Sequence, residues 1–200
     1  KMMINQETAR RQNRSNTKVL LTGIVTVFVL SLLIWEHFHG GVASHHILQQ
    51  QNLPAISNWW NGLILPTLTW FLIGRTEKRI GKQSSQGQQT NNLQRQALRL
   101  FITGLGLGVL IATSFTNGYS AFLDNVPYII LVLSLIIPIY YAEFILGFIF
   151  GMTYTFGAIL PTVFILILAA IGILTYRFIR PMIMKLIMKL KSSLNKSPNR

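Results

Sequence analysis

The chain has 200 residues, half of them hydrophobic, with a formal net charge of +13 from 18 Lys and Arg against five Asp and Glu. Charged residues are 12% of the chain, about half the usual share, so long uncharged stretches must find an apolar solvent. The absence of cysteine excludes disulfides, Fe–S clusters, thiolate metal sites and cysteine nucleophiles. A nucleic-acid partner is set aside too, because the basic residues border apolar runs instead of alternating with stacking aromatics on a polar surface.

All 18 basic residues fall in three segments, residues 1–18, 75–99 and 177–200. That distribution is the signature of cytoplasmic loops and tails in a multi-pass membrane protein, placing the amino terminus in the cytoplasm. Residues 1–18 read as a basic tail, and 19–35 (VLLTGIVTVFVLSLLIW) as the first transmembrane helix. A cleaved signal peptide is the rival reading, with Gly41 and Ala43 as small residues before Ser44, but the intervening EHFH is too polar for a cleavage region.

Residues 36–57 contain no Lys or Arg and are expected outside the cytoplasm. Gly40 and Gly41 end the first helix, and Ser44 is placed to cap a short helix through His45, His46 and the glutamines that follow. Ser57 is placed to cap a second span over 58–74, with Trp59 and Trp60 at the interface and a kink expected at Pro66. Residues 75–99, with SSQGQQTNN at their centre, read as a solvated cytoplasmic loop. The third span, about 98–116, carries Gly104 and Gly108 in a GxxxG spacing, which recurs at Gly147 and Gly151 and points to close helix packing.

From Val126 to Tyr176 only Glu143 is charged. By length this region holds two spans, 127–147 and 153–176, giving five helices in all. Five would put the basic carboxyl tail outside, whereas six inserted segments, with breaks near Tyr141 and Gly157 and one helix broken or re-entrant, keep both ends in the cytoplasm. The expected fold is therefore an all-α integral membrane protein, a single bundle over 19–181 with five or six transmembrane helices. After it, residues 182–200 place Lys185 and Lys189 four apart, with Met182, Ile183, Leu186, Ile187 and Leu190 covering another face, the pattern of an interfacial amphipathic helix. The expected partners are the lipid bilayer, with anionic headgroups at the basic tails, and a second copy or another membrane protein on the GxxxG faces. The expected location is the cell membrane, the inner one where there are two.

The densest chemistry is His37, His39, His45 and His46 within ten positions, beside Glu36. Glu36 and His39, three apart, share a helical face, and the glycine turn lets His45 and His46 fold back over it. Imidazoles with one carboxylate suit a transition metal such as Zn, Cu or Fe, and are too nitrogen-rich for Mg or Ca. A di-iron centre would need a second Glu-x-x-His, and paired haem ligation would need facing helices. Asn58 and Asn61 are candidates to hydrogen-bond the histidines, Asp124 to reach them from another outer loop, and Glu143 to act as a proton carrier or further ligand. The leading expectation is an extracytoplasmic metal site in a membrane metalloenzyme or metal-handling protein. The alternatives are a metal-free transporter or channel component relaying protons through Glu143 and the histidines, and a structural or assembly subunit.

Overall fold

The structure is a computed structural model that describes residues 2–42, 44–46 and 55–194, with side chains for 16–42, 44, 56–189, 191 and 192. It is helical almost throughout. α1 spans Met2–Phe38, α2 Asn61–Ser85, α3 Thr90–Thr116, α4 Ser120–Leu123, α5 Val126–Ile136, α6 Ala142–Phe156, α7 Ile159–Leu174 and α8 Arg180–Leu194. Among the described residues, three stretches are long and apolar enough to cross a membrane, 16–38, 90–116 and 159–189; α5 and α6 are apolar but shorter.

α6 is the centre. Its residues Glu143 to Ile149 are buried without interruption, so this part of the helix is covered on all sides, by α2, α3 and α7. Its most intimate neighbour is α3, where the two GxxxG faces meet. A Cβ on Gly108 would lie 2.6 Å from the carbonyl oxygen of Phe148, and one on Gly151 would lie 2.5 Å from that of Leu105, so only hydrogen fits on either side. Gly104 lies against Phe144 and Gly108 against Phe148, which makes α3 and α6 parallel.

The remaining directions follow from contacts at the two ends. Leu33 meets Gly62 while Lys18 meets Gly74, so α1 and α2 are antiparallel. Ser84 bonds Thr90 across a four-residue turn, returning the chain into α3. Asn61 meets Ala158 while Arg79 meets Glu143, so α2 is antiparallel to α6. Gly157, at φ 69°, reverses the chain into α7 in a left-handed conformation that favours glycine. α5 descends beside α7, with Ser134 and Ile139 reaching Gly172. Thus α1, α2, α3, α5, α6 and α7 alternate in direction, with Trp35, Trp59 and Trp60 at one end and Lys18, Arg79, Arg95 and Arg180 at the other.

Sequence expectations hold and fail for identifiable reasons. The breaks expected near Tyr141 and Gly157 are present: α5 ends at Ile136, before Pro138, and α6 starts at Ala142 and ends at Phe156. The segment 75–99 is not a long solvated loop. α2 continues to Ser85 and α3 begins at Thr90, because Ile80 packs with Leu93 and Ala97 in a small buried cluster that joins the two helices, and Arg79 donates to Gln83 and Gln96 beside it. Helix α2 also runs through Pro66 without a break. Residues 44–46 form a strand, paired antiparallel with 55–57, in place of the expected start of a helix; the glutamines that would have continued that helix lie outside the described residues. Ser57 does cap, its Oγ accepting from the Trp59 amide at 3.4 Å in a 3₁₀ turn. α8 continues from α7 through a π-helical turn, Thr175–Ile179, next to Pro181, whose missing N–H disfavours regular α bonding there. The described side chains of α8 beyond Arg180 are all exposed.

Candidate functional site

The two ends of the bundle carry different chemistry. At the basic end, the four cations Arg75, Lys78, Arg79 and Lys82 recur at i, i+3, i+4 and i+7, so α2 presents them on one face. That face borders a cleft of about 690 Å³ between α2, α6 and α7. Its floor at this end is the first turn of α6, where Glu143 is 5% exposed and forms an ion pair with Arg79. Thr76 donates a hydroxyl hydrogen bond to Glu143 Oε2 at 2.9 Å. The carboxylate also sits at a helix N-terminus, where the macrodipole favours negative charge.

Three features face the Glu143 carboxyl in a place where a lone charge would be costly: the guanidinium, the hydroxyl and the helix end. The pair is still not fully satisfied, since Arg79 Nε is buried without a hydrogen-bond partner among the described residues. A buried pair with an orphaned donor is poor design for stability alone, which marks the place as a functional candidate.

An aromatic bridge leads away from it. The Arg79 guanidinium lies 4.5 Å over the Tyr141 ring, Tyr141 meets Tyr140 edge-on at 5.0 Å, Tyr140 meets Tyr176 at 5.6 Å, and Arg180 lies 4.3 Å over Tyr176. The ion pair is thereby linked through side-chain contacts to the π-helical turn at the root of α8.

At the tryptophan end, the residues expected to bind metal are only partly brought together. Glu36 is half-buried in a crevice of about 450 Å³ between α1, α2 and α6, and its Oε2 has no hydrogen-bond partner among the described residues. Asn58 and Asn61 line the same crevice and are both buried. Asn61 does not reach a histidine: its Oδ1 accepts from the Ala158 amide at 2.8 Å, satisfying the backbone where α6 turns into α7.

His39 stacks on Trp35 at 3.6 Å, and its Nδ1 lies 2.9 Å from the Trp35 carbonyl oxygen. A carbonyl can only accept, so Nδ1 is the donor in that contact, which leaves Nε2 outside it. His37 sits edge-on to Phe38 and 6.0 Å from Trp59. Among the described residues no three His, Asp or Glu converge as metal ligands do; the side chains of His45 and His46 lie outside them. Asp124 is exposed in the turn between α4 and α5. Glu143 is at the other end of α2 from this cluster, about 27 Å along the helix from Asn61 to Arg79.

Sequence reasoning singled out Glu143 but not its partner, 64 residues away, nor Thr76 and Tyr141. The signal that was available is the spacing of the four cations on α2, hidden because that segment read as a loop. Among protein-family models, curated proteins and solved structures, none matches the chain.

Proposed function

We propose that this is a multi-pass membrane protein that binds an anionic ligand, presented from the cytoplasmic side, in the cleft around the Arg79–Glu143 pair. Six membrane-inserted helices, α1, α2, α3, α5, α6 and α7, with both termini in the cytoplasm, are the topology that fits. Their alternating directions and the gathering of basic residues at one end support it. The short α5 and the Ile137–Tyr141 break then form a broken segment, tolerated because it is covered by α7 and the π-helical turn.

The carrying observation is the Arg79–Glu143 pair at the floor of a cleft whose rim adds Arg75, Lys78 and Lys82. Ionisable groups at such depth are retained where they serve a ligand or a charge pathway. Four cations against one carboxylate leave the described lining with a net charge of +3, which selects anions. The test is calorimetric titration of the detergent-purified protein with inorganic phosphate, glycerol 3-phosphate, dioleoyl phosphatidic acid and, as reverse-charge control, tetraphenylphosphonium. Saturable binding of at least one anion, lost in Arg75→Ala/Lys78→Ala, is expected. Binding of the cation alone, or of none of these probes at low salt, would overturn the proposal.

A second reading is a transition-metal site at the opposite end. Two observations favour it: Glu36 Oε2, unpartnered among the described residues, and the His39 Nδ1 contact to a backbone carbonyl, which leaves Nε2 outside it, as in metal-ligating histidines. On this reading His37, His39, His45 and His46 with Glu36 supply the donors for Zn, Cu or Fe, serving a metalloenzyme or a metal-handling protein.

A further inference from the structure

We infer that the ligand of the α2–α6–α7 cleft is an anionic phospholipid of the cytoplasmic leaflet, held by its phosphate headgroup at one end and by an acyl chain at the other. This rests on the anion-binding reading above and adds the chemical class of the anion.

The cleft has two zones in register along α2. Its cationic zone is Arg75, Lys78, Arg79 and Lys82; one helical turn toward the bundle centre the same face becomes Leu68, Phe71 and Leu72. α7 continues the apolar zone with Leu166, Ala170 and Ile173, and α6 with Ile149. From Lys82 to Leu68 the stripe runs about 21 Å at the α-helical rise, long enough for a headgroup and most of an acyl chain.

A small hydrophilic anion has no use for that apolar wall, and a neutral lipid has no use for the cations. Only an amphiphile with an anionic head matches both. Arg79 is committed to Glu143, so Arg75, Lys78 and Lys82, all exposed at the rim, are the headgroup cations. The route in is lateral. Phe71, Leu166 and Ile173 are about half exposed, so the cleft opens toward the surroundings of the bundle, which in a bilayer are the acyl chains. Gly74 contributes by position: it lets Lys18 of α1 lie against α2, its ammonium 3.7 Å over Trp70, on the far flank of the same basic end.

The experiment titrates full-length protein in a neutral detergent with dioleoyl phosphatidic acid, dioleoyl phosphatidylcholine and glycerol 3-phosphate. Four proteins are compared: wild type, Arg75→Ala/Lys78→Ala, Ala170→Trp and Leu166→Trp. Helical circular dichroism and gel-filtration profile report folding, and both apolar-zone variants change exposed positions, so the loss of one to misfolding leaves the other.

Wild type should bind phosphatidic acid saturably, at least about tenfold more tightly than glycerol 3-phosphate or phosphatidylcholine. Removing the two cations should weaken phosphatidic acid roughly 30-fold, from about fivefold for each basic residue near a headgroup. A tryptophan in the apolar zone should weaken phosphatidic acid while leaving glycerol 3-phosphate unchanged. Equal affinity for glycerol 3-phosphate and phosphatidic acid, insensitive to tryptophan at 166 or 170, would overturn the lipid assignment and leave the anion-binding cleft standing. Failure of both anions to bind wild type would overturn the two together. Phosphatidic acid binding undiminished by Arg75→Ala/Lys78→Ala would place the lipid elsewhere on the protein.

Discussion

Arg79 and Glu143 are 64 residues apart in sequence and joined by an ion pair that ties the basic end of α2 to the first turn of the central helix. Arg79 is 15% exposed and Glu143 5%, so neither charge can be rehydrated cheaply if the other is removed. The pair lies where α6 begins: Tyr141, under the guanidinium, and Glu143 follow the Pro138 break that separates α5 from α6.

Removing one partner should therefore cost far more than removing both. Arg79→Ala or Glu143→Ala is expected to destabilise by about 3–5 kcal/mol, whereas Arg79→Leu/Glu143→Leu should come within about 1–2 kcal/mol of wild type. Reversible unfolding in mixed micelles measures all four proteins. Additive losses in the double variant would show that the two side chains act independently.

The α3–α6 seam makes a sharper steric prediction. Gly108→Val or Gly151→Val places carbon against backbone and should destabilise by about 3 kcal/mol or more, beyond ordinary overpacking because no flexible side chain can yield. Gly106→Ala on the same helix meets nothing within 4 Å and should be neutral or slightly stabilising. Thermal denaturation of the three variants, with retention of the helical spectrum, tests the contrast; equal effects at 106 and 108 would contradict the packing.

Asn61 is expected to matter through Ala158. Asn61→Leu strands a buried backbone N–H at the α6–α7 turn and should cost about 1–3 kcal/mol, without affecting anion binding at the far end. A matched pair of unfolding and titration curves checks both halves of that statement.

Much of the architecture was legible because hydrocarbon-length apolar runs and glycine spacing are local signals. The first span, the GxxxG faces and the breaks near Tyr141 and Gly157 all follow from residues read within a window of twenty. What was hidden depends on partners distant in sequence. Residues 75–99 have the composition of a loop, yet Ile80 buries itself against Leu93 and Ala97, and Arg79 finds Gln83, Gln96 and Glu143. Glu143 could be flagged as a carboxylate in an apolar run, but its partner could not, since nothing local distinguishes Arg79 from Arg75. Conversely, the histidine cluster draws attention by sequence proximity, whereas the glycine turn and strand 44–46 set its geometry.

The metal reading predicts a different loss. Protein incubated with Zn, Cu or Fe at neutral pH should retain about one ion per chain, and His39→Ala and His45→Ala/His46→Ala should each release it with the helical spectrum intact. Metal content equal in wild type and variants, or nil in all, measured by plasma emission spectrometry, would remove this reading and leave the anion cleft untouched.

The most direct test of the central claim uses the absence of native cysteine. Lys82→Cys at the cleft rim and Gln88→Cys in the α2–α3 turn, each in the otherwise unchanged chain, are labelled with a membrane-impermeant maleimide in vesicles of known sidedness. Both should react only from the cytoplasmic face. Phosphatidic acid in the bilayer or added phosphate should slow labelling at 82 relative to phosphatidylcholine alone and leave 88 unchanged. Labelling from the opposite face, or equal anion sensitivity at the two positions, would contradict a cytoplasmic anion-binding cleft at the Arg79–Glu143 pair.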